Sequence, residues 1–412
     1  MFLNRLFERL ASNLWVVPAA FAIGAVVLSL GTVAVDERAG QEGFAWAFPG
    51  DTDTARDILS TIAAGMITFT GIVFTITIVA LQLGSQQFSP RVLRTFLHDR
   101  EAKAALGAFI ATTVYALMVL RYLGAEGTDV PRLSISVAIL FVMISVVLFV
   151  HYLDHMANAI RISSIIARVG DETRAAIERM HGAEEVVVGS LPAGPASRLV
   201  RARVPGVLTE IHAERLAGVA AQSGCTLVLR HALGDFVPDG APLIDVYGSC
   251  RTDDSGILRF VDLERERTME QDAAFGIRQL VDIAEKAISP AVNDPTSCVQ
   301  AIDRIHDCLR RLAARQLPSL RQVAPGVIAP GMTWEDYVTL AVDEIRIYGE
   351  GSLQVVRRLR AMLEDLMTCV DEERRGIIRR EIEALDDGLH RGFADAMDRA
   401  NAQEPDRQGI GT

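Results

Sequence analysis

Three groups of residues in this 412-residue chain have types and spacings suited to chemistry. The first is built on Arg278, Asp282 and Lys286, which recur every four residues and so share one helical face. Asp272 precedes them, and Ser289-Pro290-Ala291-Val292-Asn293-Asp294-Pro295 follows. Mixed charge beside the free N–H groups of a helix start is a pattern that can hold an anion or a small polar ligand. The same letters also describe a helix junction. Ser289-Pro290 ends one helix, Asn293 closes a turn, Asp294 is an N-cap and Pro295 is the first residue of the next helix. Lys286 sharpens the ligand reading, because the chain has only one other lysine, Lys103. Catalysis by Asp272, Asp282, Asp294 and Lys286 is a third reading, to be decided by whether a cleft gathers them.

The second group is Thr61, Gly65, Thr68, Ile72, Thr75, Val79, Gln82 and Gln86, spaced i+3/i+4 along an uncharged apolar stretch. Thr61, Thr68, Thr75, Gln82 and Gln86 form a polar stripe that suits a pore lining or a hydrated cavity between subunits. Tight helix packing is the alternative, since small residues let backbones approach and Thr hydroxyls bond within their own helix. Thr70 and Thr77 fall on roughly the opposite face. The third group is His151, Asp154 and His155, with histidines at i, i+4. They could chelate a transition metal, but no third ligand is near in sequence, so no metal is assigned and an interfacial belt of rings explains them as well.

These groups sit on a chain of two characters. Half the residues are hydrophobic and the mean hydropathy is +0.24, while the net charge is −11. Residues 1–153 carry 10 basic and 11 acidic side chains, so the acidity belongs to the remainder. Four apolar stretches, at about 14–35, 58–83, 104–121 and 133–152, are long enough to cross a hydrocarbon core of roughly 30 Å. The loop between the first two is acid-rich, and residues 84–103 hold Arg91, Arg94, Arg100 and Lys103. Positive loops stay inside, so an uncleaved first span and cytoplasmic termini are expected, in a bacterial inner membrane. No ionisable residue lies in the middle of any span, which disfavours an ion-coupled transporter. Beyond the second span, Ser89-Pro90 predicts an interfacial helix.

The second part reads as a helical stalk at 154–183, a small β-rich module at 184–265, a helical region at 266–402 and a disordered tail at 403–412. Strands are expected at Glu185–Gly189, Arg198–Val204, Cys225–His231, Leu243–Val246 and Ile257–Leu263, with one short helix at Ala213–Gln222. The segment Val204–Ile211 with Gly234–Leu243 resembles the barrel-sandwich folds of biotinyl and lipoyl domains. No lysine lies in it, so it carries no covalent cofactor and serves as a structural element. Helices are expected at Glu270–Ile288, Pro295–Ala314, Trp334–Tyr348, Ser352–Val370 and Glu372–Asn401, with a loop at Leu317–Gly331. The predicted fold class is thus a four-helix membrane protein with a C-terminal cytoplasmic α+β domain, its β module barrel- or sandwich-like.

Phe275-Gly276-Ile277, Asp282-Ile283-Ala284 and the Ser-Pro-x-x-Asn-Asp-Pro run resemble a widespread family of bacterial predicted membrane proteins of unknown function. Leu81–Pro90 and Ile345-Arg346-Ile347-Tyr348-Gly349 match it as well. The resemblance implies architecture rather than an activity. Its second-histidine position falls on Tyr152, which argues further against a metal.

The acidic balance excludes a nucleic-acid binder, and no phosphate loop, nucleophile elbow or zinc-type cluster is present. The five cysteines, all beyond residue 153, have no close pairing and read as reduced thiols. The leading expectation is a homo-oligomeric pore with an assembly or gating domain and no cofactor. Its partners are the lipid bilayer, copies of itself and an unknown small ion or ligand, with cations mildly favoured by the acidic domain. The alternatives are a membrane-anchored ligand sensor or scaffold and, less so, a membrane enzyme.

Overall fold

The computed structural model describes residues 15–43, 47–87, 100–124, 130–159, 161–181 and 187–408. It divides into two compact units, Met1–Arg161 and Ile162–Thr412. The interfacial helix expected at Ser89-Pro90 lies outside the described residues.

Among the described residues the first unit has four helices, α1 (Val16–Gly43), α2 (Thr52–Gln87), α3 (Arg100–Leu123) and α4 (Arg132–Ala159). All four are long and apolar enough to cross a membrane. α3, the least apolar, is the central one: it packs on the other three, and 56% of its apolar window is buried against 17–22% for theirs. Its core residues Phe109, Tyr115, Ala116 and Val119 are fully enclosed. Leu59, Ala63, Met66, Val73 and Ala80 of α2 stand four, three, seven and seven residues apart, a heptad spacing, and form the inner seam of that helix.

The second unit begins with α5 (Ile162–Met180) and a β-rich stretch. This comprises β1 (Arg198–Arg201), β2 (Gly206–Ile211), α6 (Ala213–Ser223), β3 (Thr226–Leu229), β4 (Phe236–Val237), β5 (Pro242–Tyr247), α7 (Asp254–Leu258) and β6 (Val261–Glu264). Next come α8 (Ala273–Ile288), α9 (Pro295–Ala313), the strands β7 (Leu320–Ala324) and β8 (Val327–Pro330), and α10 (Trp334–Tyr348). The last helices are α11 (Leu353–Met367), α12 (Glu372–Gly392) and α13 (Ala396–Gln403). α8 packs against α5, α9 and α10, and α9 also against α11.

The barrel-sandwich expectation is corrected. The strands form two open sheets, β1-β5-β3-β8-β7 and β4-β2-β6. The larger grows outward through a parallel pair, Leu227 with Val327 and Val228 with Ile328, so the expected loop at Leu317–Gly331 is a hairpin of this sheet. Its β7 edge is covered by the Val187–Gly189 backbone: Gly189 N–H donates to Leu320 O at 2.9 Å and Gln322 N–H to Val187 O at 3.0 Å. The start of the expected Ile257–Leu263 strand is helical, because Asp253 caps α7 by accepting from Gly256 N–H at 3.0 Å. Of the expected tail at 403–412, residues 409–412 lie outside the described residues. Residues 404–408 dock on α11, where Arg357 Nε donates to Glu404 O at 3.0 Å and Asp406 is buried.

Candidate functional site

The polar stripe of α2 faces out of the unit. Thr61, Gly65, Thr68, Ile72, Thr75, Val79 and Gln82 are all exposed, and a Cβ added at Gly65 meets nothing within 4 Å. The stripe therefore repeats the heptad spacing of the inner seam on the outer side of the same helix, the spacing that mates with another helix. Thr61, Thr68 and Thr75 donate their hydroxyl protons to Asp57, Ala64 and Gly71 carbonyls at 2.7, 3.1 and 2.9 Å. Their oxygens keep lone pairs free to accept. Thr77 is used inside instead, its hydroxyl 2.8 Å from that of buried Tyr152. Nothing is described for the Gln86 side chain.

His151 and His155 do converge, on a residue that sequence spacing did not single out. Glu101 Oε2 lies 3.3 Å from His151 Nε2 and 2.9 Å from His155 Nδ1. Asp154 turns elsewhere and accepts from Asn158 Nδ2 at 3.3 Å. The trio is a shared polar network at the end of α4, and Glu101 comes from a helix start far away in sequence.

In the second unit the candidate ligand residues separate into three places. Asp272 is the N-cap of α8, buried, accepting from Phe275 N–H at 3.0 Å and paired with Arg267 at 2.7 Å. Burial nonetheless raises its carboxyl above the usual range, against the pull of Arg267. Ser289 sits at the other end of this helix, about 26 Å away at 1.5 Å per residue, so Asp272 shares no cleft with Asn293 or Asp294. Midway, Arg278 gathers carboxylates: Asp282 at 2.7 Å, Glu285 at 3.5 Å, and Glu344 of α10. Those contacts, Glu344 first, hold the guanidinium more firmly protonated than usual.

The Asn-Asp-Pro segment spends its polar groups on the junction itself. Ser289 Oγ donates to Lys286 O at 2.7 Å, Asn293 N–H to Ser289 O at 2.9 Å, and Asp294 N–H to Ala287 O at 2.8 Å. Asp294 then caps α9 by accepting from Ser297 N–H at 3.1 Å. Asn293 has φ of 51°, the only positive value among described non-glycine residues, which closes the turn. Gly276 also has a local reason. A Cβ there would lie 2.1 Å from Thr173 Oγ1, so α5 and α8 can approach only over a glycine.

Two clusters were not legible from spacing. His212 places Nδ1 at 3.1 Å from Glu210 and Nε2 at 3.2 Å from Asp262. These three could hold a metal by proximity, yet the ring bridges two acids with opposite nitrogens, whereas one metal needs a single nitrogen. Cys225 and Cys250 are hydrogen-bonded neighbours. Burial and Cys250 push the Cys225 thiol up to about 11, while Cys250, despite burial, is lowered by its bonds to Cys225, Thr252 and Ser223.

A family described as "Predicted membrane protein (DUF2254)" matches residues 11–365, spanning the four apolar helices, both sheets and the helix junction. The chain belongs to the DUF2254 family. It is 30% identical over 431 residues to "Uncharacterized protein Mb1321c" of Mycobacterium bovis and "Uncharacterized protein Rv1290c" of Mycobacterium tuberculosis. The alignments cover 97% of this chain and 81% of each relative. No solved structure matches.

Proposed function

We propose that this DUF2254 protein is a bacterial inner-membrane pore, assembled from several copies around the polar seam of α2, with both termini cytoplasmic. The observation that carries the reading is the exposure of Thr61, Thr68, Thr75 and Gln82 along a helix whose other face is already packed. A second heptad-spaced seam, with an open glycine at Gly65, fits a neighbouring copy better than it fits lipid. Exposed threonine oxygens and the Gln82 amide would offer a passing ion partners without a fixed charge. The acidic second unit would favour cations over anions.

The test is oligomeric state together with flux. Full-length protein in lipid nanodiscs is expected to run as a defined oligomer by native mass spectrometry. Thr68→Cys is expected to cross-link between copies, with Val73→Cys on the buried face as the silent control. In liposomes, cation flux should fall when Thr68 and Thr75 are replaced by leucine. A strictly monomeric protein without ion or solute flux rejects the reading.

A further inference from the structure

The second unit contains a cleft of about 580 Å³ between the end of α5, the start of α6 and β7. That volume suits a small organic molecule. Its walls are apolar where Ile211, Ala213, Leu233 and Val323 meet. The Gln271 side chain fixes one wall as a backbone strand would, accepting from Ile211 N–H at 3.0 Å and donating to Ile211 O at 3.4 Å. Met180 is held similarly, its sulfur accepting from Ala273 N–H at 3.2 Å.

Arg321 supplies the polar end. It stands on β7 two residues before Val323, and both line the cleft. One of its five N–H donors reaches Met180 O at 2.8 Å. No carboxylate among the described residues lies within ion-pair distance of it. Glu270 lines the cleft but is exposed and pairs with neither Arg321 nor Arg179. Arg179, the second cation of the lining, donates to Met269 O at 3.3 Å.

The surroundings record this excess of positive charge. His181, immediately after α5, is 3% exposed and its Nδ1 has no partner among the described residues. Burial, with Arg321 and Arg315 adding to it, pulls its imidazole down to about 4. Burial likewise draws the Arg321 guanidinium below the ordinary arginine range. A half-buried guanidinium with no counter-ion among the described residues, at the end of an apolar cleft, is costly for the folded chain alone. An incoming anion removes that cost.

We infer that the cleft binds an organic anion, its single carboxylate or phosphate head seated on Arg321 and its apolar body against Ile211, Ala213, Leu233 and Val323. The inference stands whether or not the first unit forms a pore, because every lining residue lies in the second.

Titration calorimetry on the full-length protein in nanodiscs, with empty nanodiscs subtracted, tests it. The probes are 2-naphthoate, 2-naphthyl phosphate, 2-naphthylmethanol and inorganic phosphate. Saturable binding of at least one naphthyl anion is expected, with the alcohol and inorganic phosphate each at least about tenfold weaker, the scale of one charge-assisted hydrogen bond. Which anion binds tighter identifies the head group. Arg321→Gln should weaken binding by a similar factor and Arg321→Lys by less. Since Arg321 also holds Met180 O, Ala213→Phe provides a second route: it fills the cleft and should abolish binding with the melting temperature unchanged. Failure of both anions to bind overturns the proposal. So does equal affinity for the alcohol or for inorganic phosphate, or undiminished binding in a folded Arg321→Gln or Ala213→Phe protein.

Discussion

Asp36 and Ser134 are joined twice. The Asp36 carboxylate accepts the Ser134 N–H at 2.9 Å and its hydroxyl at 2.7 Å, and takes the Leu133 N–H at 2.9 Å as well. A residue near the end of the first apolar helix thus caps the first turn of the fourth. The free N–H groups and the positive end of the α4 dipole are satisfied across the bundle rather than by a local cap. Asp36→Ala should destabilise the first unit by about 2 kcal/mol, the range for charge-assisted bonds to a helix start. Asp36→Asn should cost less. Melting in detergent checks this, and an Ala variant that melts with wild type would show the cap to be dispensable.

The Asn-Asp-Pro junction makes opposite predictions at adjacent positions. Asn293 is left-handed and exposed, so Asn293→Gly should be neutral or slightly stabilising, whereas Asn293→Val should cost more than about 1 kcal/mol. Asp294→Ala removes the α9 cap and should cost about 1 kcal/mol. Chemical denaturation of the three variants separates this junction role from ligand binding, because only a binding site would leave stability untouched while changing a ligand response.

Gly276→Ala should be among the most damaging small substitutions in the chain. The new methyl would meet Thr173 Oγ1 at 2.1 Å and Cβ at 2.8 Å, and Thr173 is fully buried with its hydroxyl committed to Val169 O at 2.6 Å. Forced separation of α5 and α8 should cost about 1–3 kcal/mol. Thr173→Ala makes room beside that methyl, so the double variant should recover part of the loss, and strict additivity would contradict the contact.

Stability should depend on pH through groups of opposite sign. Burial, then Glu344, raises Glu285 to about 7, and burial, then Asp343, raises Glu381 to about 7. The folded chain therefore holds protons that the unfolded chain has released above its carboxylate range near about 4.3. Their contribution is present at low pH and is lost as pH rises to about 7. His181, lowered to about 4, works the other way, and its contribution is lost as pH falls from its ordinary 6.5 towards 4. Melting curves of Glu285→Gln should gain on wild type as pH rises from 5 to 8, by a few degrees on the order of 2–4 °C per kcal/mol. His181→Gln should gain on wild type as pH falls over the acidic side. A difference that does not move with pH refutes the assignment.

Much of this was legible from local pattern. The four apolar helices follow from uncharged length, and the Asp294-Pro295 helix start follows from cap chemistry. Long-range pairings were not. Turn residues around Gly234–Leu243 announce strands, yet whether those strands close into a barrel depends on partners remote in the chain. The hairpin at Leu320–Pro330 hides inside a Pro/Gly-bearing loop because each strand is short and its partner β3 lies far upstream. Glu101, Asp36 and the Cys225–Cys250 contact were illegible for the same reason, since their meaning comes from a second residue that spacing does not indicate. Periodicity marked the α2 stripe, and the fold showed that it faces outward.

The parallel pair between β3 and β8 makes the sheet and the helices beyond it inseparable. Everything from α6 to α9, apart from β3 itself, either precedes this pair or is threaded between its two strands. A fragment ending near residue 265 would lack two of the five strands and bare the Thr226–Leu229 edge, a template for self-association. The five-stranded sheet is completed only after α8 and α9 have been synthesised, so folding of the C-terminal unit is a late, long-range event in the life of the chain.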